Sequence, residues 1–398
     1  MTDNTRAFAA RWIFPVSHPP IHGGWVRVDR QQIVEVGQGP PPADAEDLGD
    51  VALLPSLVNA HTHLEFSDCE TPIGEPGVAL YQWVGQVIAA RQSATIDAKA
   101  AAINKGLTES LDAGVSLIGE IATLPSEYPS HPRFSRHGQS PELVTFAETI
   151  GLSPQRGNER FELTEHHVHT QPSAGISPHA PYSTSRPLIQ RCVQLACQSR
   201  RPLAMHVAES PAERELLSSG SGPFAETLKQ LGVWDASLFP WGAQPFAWLI
   251  DLLAKVPRGL LVHGNDFQRN EIEAIAKHPS LSVVYCPQTH HFFRYEPHPV
   301  AEMLDRGIRV ALGTDSRASN PDLNLWREIQ FLLKHRPDID PEQVLAMGTI
   351  NGADAMGRIR HGRLQPGSLP LFNRVPTTAK TLQEVYQDFA EQPLRHGL

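Results

Sequence analysis

Residues 51–63 read VALLPSLVNAHTH. The first ten form a short, mostly apolar run with the length of a buried strand. It leads into His61-Thr62-His63. Residues two apart in a strand point the same way, so both imidazoles can reach one ion. With 19 histidines in 398 residues, roughly one such pair is expected by chance. The pair therefore gains meaning only from its surroundings. A second pair, His167/His169, follows no strand-like run and lies in a polar stretch, part of 153–174, that reads as loop. It is expected to be a decoy.

Outward from this stretch, apolar runs alternate with amphipathic ones. Strands are expected at 115–121, 143–147, 175–177, 203–206, 260–263, 282–285 and 310–312. Helices are expected at 78–91, 97–113, 187–198, 223–231 and 245–254. Seven or eight β-α units over about 300 residues fit a (β/α)8 TIM-type barrel. A doubly wound α/β sheet is the alternative, but the chain has neither a G-x-G-x-x-G after its first strand nor a Walker lysine motif. Residues 1–55 read as short strands, including 25–37. Strand-and-turn character returns after about residue 360 in GRLQPGSLPLF. The expected organisation is a small β-sandwich domain from 1–55 and 360–398, and a barrel from 56–359. Residues 126–142, rich in Pro, Ser and His, are expected to be a long loop.

Composition narrows the class. Hydrophobic residues at 40% suffice for a large core, and a net charge of −9 argues against a nucleic-acid binder. The cysteines Cys69, Cys192, Cys197 and Cys286 form no C-x-x-C pair and are expected to be buried free thiols. The opening residues contain no uninterrupted apolar leader. The apolar stretch 246–262 is broken by Asp251, Lys255, Pro257 and Arg258. A cytoplasmic protein without membrane association is therefore expected.

Three more strand-like runs end in chemistry-bearing residues. PLAMH ends at His206 with Glu209 three residues on, GLLVH ends at His263, and RVALGT precedes Asp315. Barrel strands open their C-terminal ends onto one face, where active sites sit. Three histidines and a carboxylate there suit a zinc-type ion with one position left open.

NAHTHLEFS, SPHAPYS, MHVAES, LVHGND and LGTDSRASNPDLNL resemble the amidohydrolase superfamily, in the branch of cytosine, guanine and adenosine-type deaminases and chlorohydrolases. The resemblance covers nearly the whole chain. It implies one divalent metal, with Zn2+ expected and Fe2+ the alternative. The implied ligands are His61, His63, His206 and Asp315. His263 would bond the metal-bound water or the substrate, and Asp315 and Glu209 would handle protons. His179 would line the pocket. Binuclear relatives use a carboxylated lysine, and this chain has no lysine between Lys105 and Lys229, which favours a single metal. Glu148 is expected to face substrate or a salt-bridge partner rather than to bridge a second ion.

The resemblance implies a deaminase that releases ammonia from an adenosine-type small molecule. Glu209 would protonate the ring, which calls for a raised pKa. Glu65, Trp83 and Arg91 are expected at the pocket rim. Thioadenosine and adenosylhomocysteine deaminases carry a glutamate on this rim helix, whereas no glutamate lies between Glu75 and Glu109 here. Arg91 is expected to meet a carboxylate. With Trp83, Arg91 and VVYCPQTHHFF, the chain is similar to aminofutalosine deaminases, whose substrate carries a carboxyphenyl group. His290 or His291 is expected to face the pocket. Related hydrolases that cleave cyclic amides, guanine, triazines or halides share most of these motifs, and some relatives that lost ligands act as binding scaffolds. A homodimer is left open. The tail lacks the Ala-Asp-Leu strand of many relatives, so a reduced small domain is expected.

Overall fold

The computed structural model describes residues 5–92, 94–123 and 141–397. Two sheets organise them. The first contains β1 (Arg6–Ile13), β2 (Ile21–Val28), β3 (Ile33–Gln38), β4 (Glu46–Asp47) and β5 (Val51–Pro55). The second contains β6 (Leu57–Thr62), β7 (Val115–Ala122), β8 (Glu142–Thr149), β9 (Ala174–Pro178), β10 (Leu203–Val207), β11 (Gly259–His263), β12 (Leu281–Tyr285) and β13 (Arg309–Leu312). The tail adds β14 (Phe372–Pro376) and β15 (Arg395–His396) to the first sheet.

The apolar run of residues 51–62 is thus two strands in two sheets. β5 pairs with β1 and β14, while β6 pairs with β7. The break falls at Pro55-Ser56. Proline has no amide to continue a ladder, and Ser56 turns away by donating its amide to the Leu371 carbonyl at 3.0 Å.

β6 to β13 run in sequence order as a parallel sheet, and helices separate every consecutive pair of strands except β7 and β8, between which residues 124–140 lie outside the described residues. The two edges close on each other. Thr62 bridges Asp315, whose amide donates to the His61 carbonyl at 3.1 Å. The Asn59 amide clamps Thr314, donating to its Oγ1 at 2.8 Å and accepting from its N–H at 3.2 Å. Gly313 permits this approach, because a Cβ there would stand 2.8 Å from the His61 carbonyl oxygen. The result is an eight-stranded α/β barrel. Its interior holds Val58, Ala60, Leu117, Phe146, Ala204, Val262 and Met356. The opposite strand faces pack beneath the helices in the main core.

The first sheet runs β15-β14-β5-β1-β2-β3, with β4 on β1, around Phe8, Ile13, Val26, Leu53 and Phe372. The short tail therefore supplies two strands to it. The tail also forms a helix, Leu382–Glu391, capped reciprocally by Thr381 and Glu384. Its Phe389 packs on Phe14 and Trp326, with ring centroids 5.0 and 5.6 Å apart.

Two expectations need correction. Residues 154–170 form a helix, not a loop. Ser153 caps it with Pro154 in the first turn, and Gly157, Phe161, Thr164 and Val168 bury one stripe. Cys197 is exposed rather than buried, though all four cysteines are free. Of the expected loop 126–142, residues 126–140 lie outside the described residues, and Glu142 already begins β8. Among the described residues no helix is long and apolar enough to cross a membrane.

Candidate active site

The histidines meet at the C-terminal mouth of the barrel. A register shift between Asn59 and Thr62 in the β6–β7 ladder puts one extra residue into β6. Such a bulge resets the in–out alternation. Val58 and Ala60 face the barrel interior, yet the next residue, His61, also turns inward to the cluster. On β10 the ordinary two-residue period carries Ala204 and His206 to the same side. On β11 Val262 faces in, and His263 joins it by adopting φ +72°. Ala208 and Asp315 are also left-handed, at φ +52° and +55°. Side chains other than glycine rarely hold this conformation without cause. Among the described residues, three of the six such positions stand here, so local strain concentrates where side chains are aimed.

The donor atoms converge. The Nε2 atoms of His63 and His206 lie 3.3 Å apart. Asp315 Oδ1 is 3.6 Å from His61 Nε2 and 3.7 Å from His63 Nε2. His61, His206 and His263 form one group of ligand atoms within 4.8 Å of one another, and His61, His63 and Asp315 form a second. His61 is 1% exposed, and neither of its ring nitrogens has a hydrogen-bond partner. Orphaned buried polar atoms are rare and costly. A divalent cation among these nitrogens and this carboxylate oxygen supplies what they lack, and the donor set fits it.

Surrounding contacts aim the ligands. His206 Nδ1 donates to the His179 carbonyl at 2.9 Å, which leaves the Nε2 lone pair facing the site. Ser319 donates to Asp315 Oδ2 at 3.0 Å, which leaves Oδ1 free for the cluster. Burial, reinforced by the charges of neighbouring histidines, holds His61 and His63 well below the ordinary histidine value. Burial outweighs the opposing Asp315 charge at His263, which also lies well below it. Burial takes His206 and His179 down to about 4. All five rings are therefore neutral near pH 7, the form that binds metal.

Glu209 lies beside them, 5% exposed, with Oε1 3.6 Å from His263 Nε2. Burial, then the charges of Asp315 and Glu213, push its carboxyl well above the usual range. Glu213 did not emerge from the sequence. It is fully buried, its Oε2 accepts the Glu209 amide at 2.8 Å, and burial lifts it to about 8. Its spacing from the helix cap Ser210 was the available signal, and that spacing is common to capped helices generally. His298 was likewise not singled out. It donates to the His263 carbonyl at 2.9 Å and stacks on Tyr285 at 3.9 Å.

The remaining candidates divide. His179 joins the cluster, its ring 4.9 Å from that of His206, with Nε2 3.9 Å from Glu148. Burial first, then Glu65, raises the Glu148 carboxyl. Glu65 pairs with Lys99 at 2.8 Å and accepts from Thr123. Arg91 is engaged by Asp68 at 2.8 Å, bonds the Glu65 carbonyl and lies over Phe66 at 4.9 Å. Trp83 donates to the Ile73 carbonyl at 3.0 Å and meets Phe293 edge-on. His290 is buried and donates to the Glu296 carbonyl at 2.9 Å, whereas His291 is exposed against Phe331.

Comparison with known proteins agrees with this layout. The chain is 28% identical over 358 residues to the aminodeoxyfutalosine deaminase of Deinococcus radiodurans, covering 84% of this chain and 78% of that protein. It is 27% identical over 358 residues to a 5-methylthioadenosine/S-adenosylhomocysteine deaminase of Nitratidesulfovibrio vulgaris, covering 87% and 76%. The fold matches the crystal structure of Helicobacter pylori aminofutalosine deaminase in complex with methylthio-coformycin, with a TM-score of 0.82 at 21% identity over 99% and 100% of the two chains. The Amidohydrolase family model spans residues 52–392, a range that contains all the converging histidines together with Glu209 and Asp315, and the chain belongs to that family.

Proposed function

We propose that the chain is a divalent-metal-dependent hydrolytic deaminase that releases ammonia from an adenosine-type substrate, with aminofutalosine as the first candidate. The observation that carries this is the buried Glu209 carboxyl 3.6 Å from His263, its pKa raised by burial, beside the convergent histidines and Asp315. The relatives named for this activity support it. The lack of a glutamate between Glu75 and Glu109 favours aminofutalosine over thioadenosine-type substrates.

His61, His63, His206 and Asp315 would hold the ion, Zn2+ by their nitrogen-rich chemistry. A bound divalent ion lowers the pKa of a coordinated water from about 15.7 toward 7 and so supplies a nucleophile at neutral pH. The chain's own residues handle the rest. Glu209, protonated at the start, gives its proton to a ring nitrogen of the aminopurine. The amine-bearing carbon is then open to water: as the C–O bond forms one water proton passes to the amine, the C–N bond breaks and ammonia leaves, and the second water proton returns to Glu209 as the ring carbonyl forms. Neutral His263, facing Glu209, orients the reacting water or the substrate. Asp315, with one oxygen tied by Ser319, keeps the other toward the histidines. Glu148 and His179 line the substrate side, facing each other at 3.9 Å. We read residues 56–359 as the catalytic barrel domain, and 1–55 with 360–398 as the small domain beside it.

The test is an ammonia-release screen of the metal-loaded protein over adenosine, adenosylhomocysteine, thioadenosine, aminofutalosine, guanine, cytosine and triazines. Aminofutalosine should give the highest kcat/KM. Release only from guanine, cytosine or triazines would overturn the adenosine-type reading, and release from none would leave the amide or halide hydrolase reading standing.

A further inference from the structure

Tyr295 follows the short helix Pro287–Phe293 and the left-handed Arg294 on the mouth side of the barrel. Its ring stacks on Phe293 with centroids 5.4 Å apart and planes 21° apart, and lies 5.8 Å from the ring of His290. Phe293 in turn meets Trp83 edge-on at 5.4 Å. These rings make an apolar wall. The Tyr295 hydroxyl breaks its character, because that oxygen is buried and has no hydrogen-bond partner. Tyrosine hydroxyls normally find a partner when buried.

A chain of rings ties this wall to the candidate site: the His290 ring lies 5.7 Å from that of His298, and His298 donates to the His263 carbonyl at 2.9 Å. Burial, then the Glu209 and Glu213 carboxyls, keeps the phenol well above its ordinary value, so it stays a donor. Tyr295 thus stands on the mouth side of the barrel, joined through His290 and His298 to the strand end that carries His263, and its buried donor has no partner among the described residues.

We propose that Tyr295 is a substrate-binding residue, whose hydroxyl donates a hydrogen bond to a ring-nitrogen or sugar-oxygen acceptor of the substrate while the Phe293–Tyr295 stack packs against its apolar face. This rests on the deaminase reading above. Among the described residues no group pairs this buried donor, and the bound substrate would pair it. Removing the hydroxyl should therefore help the free fold and hurt binding, a pairing of signs that a structural tyrosine does not give.

The experiment compares metal-loaded wild type with Tyr295→Phe. The variant should have a Tm unchanged or raised by about 1–3 °C, a KM raised about tenfold, and a kcat within about threefold of wild type. An unchanged KM overturns the proposal. So does a raised KM accompanied by a fall of several degrees in Tm, since the hydroxyl would then be holding the fold. Tyr295→Leu, which also removes the stack, should raise KM further, and a KM no higher than that of Tyr295→Phe overturns the stacking part. If wild type releases no ammonia from any adenosine-type substrate, the deaminase reading fails and this proposal falls with it. The wild-type result thus reports on that reading, and the ratio of variant to wild type on Tyr295.

Discussion

The chain spells His-x-His twice, and the two copies have opposite fates. His61 and His63 stand at the end of β6, turned inward by a bulge, with ring nitrogens facing Asp315 and His206. His167 and His169 lie on the helix Pro154–Thr170, where residues two apart diverge by about 200°. His167 is buried, and its Nε2 donates to the Thr145 carbonyl at 3.1 Å with the Thr145 hydroxyl at 2.9 Å. His169 is exposed and donates to the Glu165 carbonyl at 2.7 Å. The same three-letter pattern thus serves opposite ends because the backbone decides whether the rings converge. The lack of partners at both ring nitrogens of His61, beside the Thr145 bonds of His167 Nε2, distinguishes a waiting ligand from a structural histidine.

The comparison breaks most sharply if the first pair can be dispensed with. His61→Asn should lower kcat/KM by about three orders of magnitude or more, and metal analysis should show less than one ion per chain. Full metal content with full turnover would remove the ligand role. A smaller effect, about 10²- to 10⁴-fold on kcat, is expected for Glu209→Gln. That variant should keep its metal, because Glu209 faces His263 from outside the proposed ligand set. Loss of the ion together with activity would mean that Glu209 holds metal rather than moves protons.

Much of this layout can be read from sequence, and the unread parts share a physical cause. The strands were legible because each is a short apolar run buried along nearly its whole length, and the expected 203–206 and 260–263 fall within one residue of β10 and β11. The ligands were legible because they sit at the ends of those runs. The helix Pro154–Thr170 was hidden because most of its residues are polar and only one narrow stripe is buried. Arg91 illustrates a different limit. Its partner Asp68 is 23 residues away, so no local pattern reveals that the guanidinium is already engaged. The bulge in β6 and the left-handed φ of His263 are equally invisible, since neither involves a glycine.

The smallest effect concerns the second pair, and it reads out in stability rather than catalysis. His167→Gln should leave metal content and kcat unchanged while costing about 0.5–1.5 kcal/mol at pH 7 through the disturbed bonds to Thr145. His169→Ala, on the exposed face, should stay within about 0.5 kcal/mol of wild type. Acid sharpens the distinction. Burial lowers the pKa of His167 in the folded chain below its unfolded value, although its bond to Thr145 opposes this. Below about pH 6.5 the unfolded chain therefore binds a proton that the folded chain resists, and the histidine's contribution fades as pH falls toward the folded pKa. Glutamine takes up no proton there. The stability gap between wild type and His167→Gln, followed by urea unfolding of metal-free protein, should narrow as the pH is taken from 7 to 5. A gap that stays constant would show that His167 protonates equally in both states, and the contrast between the two pairs would then rest on geometry alone.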